Sequence, residues 1–294
     1  MGVDWWVDEA VNDQTATRCQ ALIMKTNVLR AEVTRVLTAN VRSLEVSDTI
    51  MSFVERMKEV DNEVTAWFEG LPEHWRYVTV AWEDHVPDGD YARAEVFPGR
   101  VDIYRDYWIA SVVNTARITR LALKSTIVRC IAWVRVPTDY RTTPEYATAA
   151  RACSETITDI LASVPYHLSW HLKRPDIMHK ANLSGFACGD ETVQKSLPGY
   201  FLMFPLATVA NQDYCTDAQR AWIRGRFRYV ATELGVKFAN VLAKVGFLSP
   251  LPRLDYPLGC LGVEKGTSAD VSSSTSGFHP CTSVATTSSP GRTP

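Results

Sequence analysis

Apolar residues recur along most of this chain at the three- and four-residue spacing of an amphipathic helix. Leu22, Leu29, Val33 and Val36 mark one face of a first helix over residues 13–43. Phe53, Met57, Val60, Val64 and Trp67 mark a second over 47–69, with Ser47 as its N-cap and Gly70-Leu71-Pro72 as its stop. Arg100 to Val136 holds neither glycine nor proline, and Val101, Tyr104, Trp108, Val112, Ala116, Thr119, Leu123 and Ile127 line one side of it. The pattern predicts a single long buried helix there, about 50 Å at 1.5 Å per residue. Thr143-Pro144 opens the next helix as N-cap and N1, with Tyr146, Ala150, Cys153, Ile157 and Ile160 inward and Pro165 closing it. Thr216-Asp217-Ala218-Gln219 is a capping box opening a last helix, whose inward face runs through Ile223, Phe227, Val230, Leu234, Phe238 and Leu242.

Between these lies GYFLMFPLATVA, residues 199–210, apolar on nearly every side. Its dozen residues fall short of the roughly 20 needed to span a bilayer. The expectation is a core helix broken or kinked at Pro205, covered by its neighbours. Strand signal is thin, limited to weak alternation in RYVTVAW at 76–82, which reads as an isolated edge. From Gly262 onward Ser, Thr, Gly and Pro dominate, with too little apolar surface to offset ordering entropy. The fold class expected is therefore all-α, a large multi-helix domain over 1–262 followed by a disordered tail over 263–294.

Composition adds exclusions. A net charge of −2 in 294 residues supplies no electrostatic attraction to nucleic acid or an anionic membrane. The N-terminus MGVDWWVDEA is acidic and unlike a signal peptide. The seven cysteines (19, 130, 153, 188, 215, 260, 281) never form C-x-x-C, which suits free thiols in a reducing compartment rather than a disulfide scaffold or zinc site. These features predict a soluble intracellular chain.

Candidate chemistry is sparse. His167 and His171 stand four apart in PYHLSWHLKRP, the spacing of two metal ligands on one helix face, but the adjacent glutamate of H-E-x-x-H is absent and Pro165 and Pro175 leave room for only about two turns. Histidines bonded to backbone in a helix-terminal turn are the plainer reading. Tyr104, Trp108, Tyr200, Phe201, Phe204 and Trp222 are candidates for an apolar pocket. Such a pocket invites comparison with all-α terpene cyclases, yet no D-D-x-x-D cluster exists to hold magnesium and diphosphate. Small residues (Ala110, Ser111, Ala116, Ala207, Ala221) interleave with these aromatics, and tight packing is favoured over a cavity. Arg220, Arg224, Arg226 and Arg228 read as a solvated helix face. P-loop, G-x-G-x-x-G, G-x-S-x-G and H-E-x-x-H patterns are absent. No metal and no cofactor is expected.

Five segments in order carry a resemblance: WFEGLPEHW (67–75), VDIYRDYWIASVVNTARITRLAL (101–123), ASVPYHL (162–168), PGYFLMFPLATVA (198–210) and AQRAWIRGRFRYVATELGVKFANVLA (218–243). Over residues 45–245 the chain resembles the C-terminal regulatory region of fungal six-cysteine zinc-cluster transcription factors. The match to the family's W-N-x-x-R centre is partial, since Val113-Asn114 stands where Trp-Asn is usual, with Arg117 following. The family's DNA-reading module needs six closely spaced cysteines, and Cys19 alone lies in the first hundred residues. Zinc binding and direct sequence reading therefore do not transfer to these residues. Both a free-standing regulatory domain and a family member whose zinc module is missing from the gene model remain open.

The resemblance implies an all-helical domain, nuclear (otherwise cytoplasmic), that regulates a fungal metabolic or secondary-metabolite pathway. Its expected partners are other transcription-regulatory proteins, with a small apolar effector as a candidate ligand and no sequence-specific DNA binding of its own. The alternative is a recruited non-metal all-α cyclase or isomerase acting on an apolar metabolite, for which His167, His171, Asp106 and Tyr200 are the polar candidates.

Overall fold

The computed structural model describes residues 13–39, 41–178 and 196–244. The disordered tail expected from 263, the boundary at 262, His179 and three of the cysteines (188, 260 and 281) lie outside the described residues. Within them the fold is all-α with one short two-stranded ribbon.

Helices α1 (Gln14–Ala39) and α2 (Leu44–Glu69) run antiparallel. The pairing Lys25–Glu63 at 2.7 Å and Arg56–Glu32 at 3.2 Å fixes that direction. Ser43, not Ser47, is the N-cap of α2 and accepts from the Val46 amide. Both serines satisfy the cap preference, and the chain enters the helix at the earlier one, leaving Ser47 to bond back to the Ser43 carbonyl. Gly70 ends α2 as expected, its amide donating to Ala66 O.

The expected helix from Arg100 is corrected at its start. Residues Gly99–Ile103 form a strand, β2, antiparallel to β1 (Val78–Glu83), so the weak alternation at 76–82 has a partner. The helix proper, α3, runs Tyr107–Arg135 and begins where Asp106 accepts from the Ile109 amide at 2.8 Å. Seventeen of its 29 residues are buried, because it separates two cores. One core joins α1, α2, the ribbon and the Ala116–Leu123–Ile127 side of α3. The other sets Ile118 and Leu121 against α4 (Pro144–His167), α7 (Met203–Ala210), α8 (Asp217–Thr232) and α9 (Phe238–Lys244).

Thr143 caps α4, as read from the sequence, but Pro165 does not close it: the helix continues to His167 with Pro165 inside its last turn. Ser169, in the left-handed region at φ 61°, turns the chain away, and the short α5 (Pro175–Met178) follows. The apolar segment splits into α6 (Ser196–Phe201) and α7. The break falls at Leu202, three residues before Pro205. Pro205 then occupies the first turn of α7, where its missing N–H leaves no helical bond unmade. Leu202, Leu206 and Val209 are fully buried, whereas Tyr200 is 60% and Phe204 69% exposed, so part of this segment faces outward.

The capping box at Thr216 and Gln219 is formed. The expected last helix is two: α8 ends at Thr232, and Gly235 at φ 75° redirects the chain before α9. The helical phase is lost across that turn, which leaves Phe238 exposed while Val230 stays in the core.

Candidate functional site

Polar features interrupt this helical frame. The first is an interior network around α3. Asp102 of β2 is wholly buried and accepts from Thr79 Oγ1 at 2.7 Å and Arg100 Nε at 2.8 Å. Arg100 also bonds Asp159 of α4, whose carboxylate lies 3.9 Å from Arg117. Arg117 donates to the Tyr104 hydroxyl at 2.8 Å and to Asn114 Oδ1 at 3.0 Å, and Asn114 Nδ2 reaches Ser163 Oγ at 2.9 Å and the His167 ring at 3.4 Å. Asn114 and Arg117, the partly matched motif centre, therefore tie the ribbon, α3 and α4 together through buried charge-assisted bonds.

The sequence-predicted polar candidates sit in or beside this network. His167 and His171 are each 1% exposed. Burial pushes His167 down to about 3, opposed by the hydrogen bond its ring donates to the Pro198 carbonyl, and His171 down to about 4. Both are neutral at physiological pH. The left-handed turn at Ser169 separates them, and their rings pack on Tyr107 and Tyr166. No group of three metal-ligating side chains occurs among the described residues. Asp106 is occupied as the N-cap of α3, with burial raising its carboxyl.

The aromatic candidates are dispersed. Tyr104 belongs to the network, its hydroxyl raised to about 12 by burial. Trp108 packs edge-on against Trp75, 5.4 Å between centroids, and Phe201 rests on the same core. Trp222 is buried in the second core, where its Nε1 donates to Ala94 O at 3.0 Å. Tyr200 and Phe204 are largely exposed. The structure brings Tyr104 near Tyr166 and Tyr77, not near Trp222 or Phe204. The arginine stripe also divides. Arg226 is buried and donates to Arg93 O at 3.1 Å, and Arg220 holds the carbonyls of Ala210 and Gln212, while Arg228 is exposed.

The second feature is a cleft of about 440 Å³ between α1, α3, α7 and the turn after it. This lies within the roughly 300–1,000 Å³ of small-molecule sites. Of the aromatic candidates only Phe204 lines it. Ile23, Thr26, Asn27 and Arg30 of α1 face it at i, i+3, i+4 and i+7, and Thr115, Ile118, Thr119, Ala122, Thr126 and Arg129 continue that spacing on α3. This repeat was readable in the sequence, but the hydroxyls and arginines in it carry no apolar signal. The threonines of α3 bond to their own helix, Thr119 to Thr115 O and Thr126 to Ala122 O. Ser125 reaches across to Gln212 Oε1 at 2.6 Å.

The four described cysteines, 19, 130, 153 and 215, are unpaired and buried, and burial raises each thiol. They are poor nucleophiles. Among the described residues no helix is long and apolar enough to cross a membrane.

The chain is similar to a fungal transcription factor. It is 24% identical over 224 residues to the transcription factor dbaG of Emericella nidulans, a match covering 74% of this chain and 49% of that protein. The chain thus spans about half the length of the curated relative it matches. No family model matches it, and no solved structure matches it.

Proposed function

We propose that these residues form the regulatory helical domain of a six-cysteine zinc-cluster type of transcription factor, acting in the nucleus on a fungal metabolic or secondary-metabolite pathway. The observation that carries the reading is the similarity to dbaG across three quarters of the chain. The ordered segments from WFEGLPEHW to the last helices support it. A domain of this kind transmits its effect by contact with other regulatory proteins or by a ligand that shifts its populations. At a net charge of −2 these 294 residues by themselves do not read DNA sequence.

The test is transcriptional. Fused to a heterologous DNA-binding domain, the chain changes output from a matched reporter, and deleting its gene alters transcripts of several genes together. Intact transcripts with one accumulating metabolite would instead indicate the cyclase or isomerase alternative. A nanomolar, sequence-dependent shift of DNA by this chain alone would refute the statement about DNA.

A further inference from the structure

The cleft between α1, α3 and α7 carries two guanidiniums that the fold leaves without a carboxylate. Arg30 stands at its rim and Arg129 is half-buried in its wall. Neither has an ion-pair or hydrogen-bond partner among the described residues, although eleven arginine or lysine side chains elsewhere form ion pairs. Burial lowers both; on Arg129 the neighbouring Cys130 opposes this, and the charge of Arg30 acts in the same direction as burial. A half-buried guanidinium with a second positive charge at the rim of the same cleft makes the space between them favourable for an anion.

A second, independent observation points the same way. The Thr26 hydroxyl, 1% exposed and on the cleft lining, has no hydrogen-bond partner among the described residues, unlike the threonines of α3 opposite. Asn211 Oδ1, on the α7 side of the lining, is likewise unpartnered. Buried polar atoms are ordinarily satisfied, so two orphans in one cleft mark a place for ligand atoms. The Asp213 carboxylate also lines the cleft, but its charge acts on Tyr140 and Tyr214, and it is not among the charges acting on Arg129. Ile23, Ile118, Val128 and the exposed ring of Phe204 supply the apolar part of the lining, beside the hydroxyls and amides of α3 and of the turn after α7.

We propose that this cleft binds a small organic acid, a carboxylate on an apolar ring or chain, with Arg30 and Arg129 holding the carboxylate and Ile23, Ile118 and Phe204 the apolar body. Thr26 donates its free hydroxyl to the bound acid, and Asn211 Oδ1 accepts from a hydroxyl or amide on the ligand. The charged head is what separates this ligand from the uncharged apolar effector expected from the aromatic residues. The inference goes beyond the transcriptional reading and does not depend on it, since it concerns binding by the isolated chain.

The test is calorimetry on the full chain with 1-naphthoate and its neutral isostere 1-naphthamide. The acid is expected to bind saturably and at least about tenfold more tightly than the amide, since charge-assisted bonds are about twice as strong as neutral ones. Arg129→Met and Arg30→Met each erase that preference while leaving amide binding unchanged. Because each removes an unpaired charge, neither lowers the melting temperature, which keeps lost binding distinct from lost folding. Thr26→Val, nearly isosteric, weakens the acid more than the amide. Equal binding of acid and amide, no saturable binding of either, or an intact preference in the Arg30→Met/Arg129→Met double variant would overturn the proposal.

Discussion

Replacing Gly225 by alanine adds one methyl group in the middle of α8, where alanine is the better helix former by about 1 kcal/mol. Helix propensity alone therefore forecasts stabilisation. The tertiary contact forecasts the opposite. A Cβ at this position would lie 1.9 Å from Ala92 O and 2.7 Å from Ala92 C, where real Cβ atoms essentially never come under 3.0 Å. The obstacle is backbone, so the loop has to retreat by more than an ångström. That loop is clasped from both sides of Gly225: Trp222 Nε1 donates to Ala94 O at 3.0 Å, and Arg226 donates to Arg93 O at 3.1 Å. Losing both leaves buried donors and acceptors unmet at about 1–3 kcal/mol each. After subtracting the propensity gain, Gly225→Ala costs about 1–5 kcal/mol, at about 2–4 °C per kcal/mol for a domain of this size. Gly199→Ala is the control, since its Cβ meets Leu234 Cδ1 at 2.6 Å, the end of a side chain that can rotate away. Differential scanning fluorimetry of the two variants decides the matter. Gly225→Ala melting at or above the parent temperature, or no worse than Gly199→Ala, would refute the reasoning.

Other outcomes follow from the same geometry. His167 and His171 are held neutral in the fold, so the unfolded chain takes up their protons first as pH falls; their contribution is intact above about pH 6.5 and is lost toward about 4 and 3. Urea unfolding between pH 7 and 5 should show stability falling by up to about 1.4 kcal/mol per pH unit per histidine, and His171→Gln should reduce that slope; an unchanged slope argues against burial as the cause. Asp102→Ala strands the Thr79 hydroxyl and weakens the anchoring of Arg100, and is expected to cost about 3 kcal/mol in the same assay, more than exposed Glu63→Ala. Thr216→Ala removes one half of the capping box and lowers stability by about 1 kcal/mol.

Local sequence was enough for features whose energies act within four residues. The caps at Thr143 and Thr216, the stop at Gly70, and the inward stripe from Phe53 to Trp67 are all where the chain's own spacing puts them. Each depends on a side chain meeting its own helix, or on one face being apolar. Where the outcome hangs on a distant partner, the reading stopped short. Arg100–Ile103 has nothing in it that forbids a helix, and becomes a strand because 78–83 lies alongside and Asp102 finds Thr79 there. The break falls at Leu202 rather than Pro205: α6 and α7 both pack on α4 and α8, and α7 packs on α3 as well. The turn at Gly235 breaks a periodicity that otherwise continues on paper.

The sites divide in the same way. His167, His171 and Asp106 could be singled out as polar residues in apolar surroundings, but only packing made the histidines neutral and the aspartate a cap. The aromatic residues, conspicuous in the sequence, are distributed between two cores and the surface, because hydrophobicity drives burial without saying against what. Arg30 and Arg129, 99 positions apart, carry no local sign of belonging together. Helical periodicity alone put each on a stripe; the packing of α1 against α3, with α7 alongside, turned those stripes toward one cleft and left both charges without a partner among the described residues.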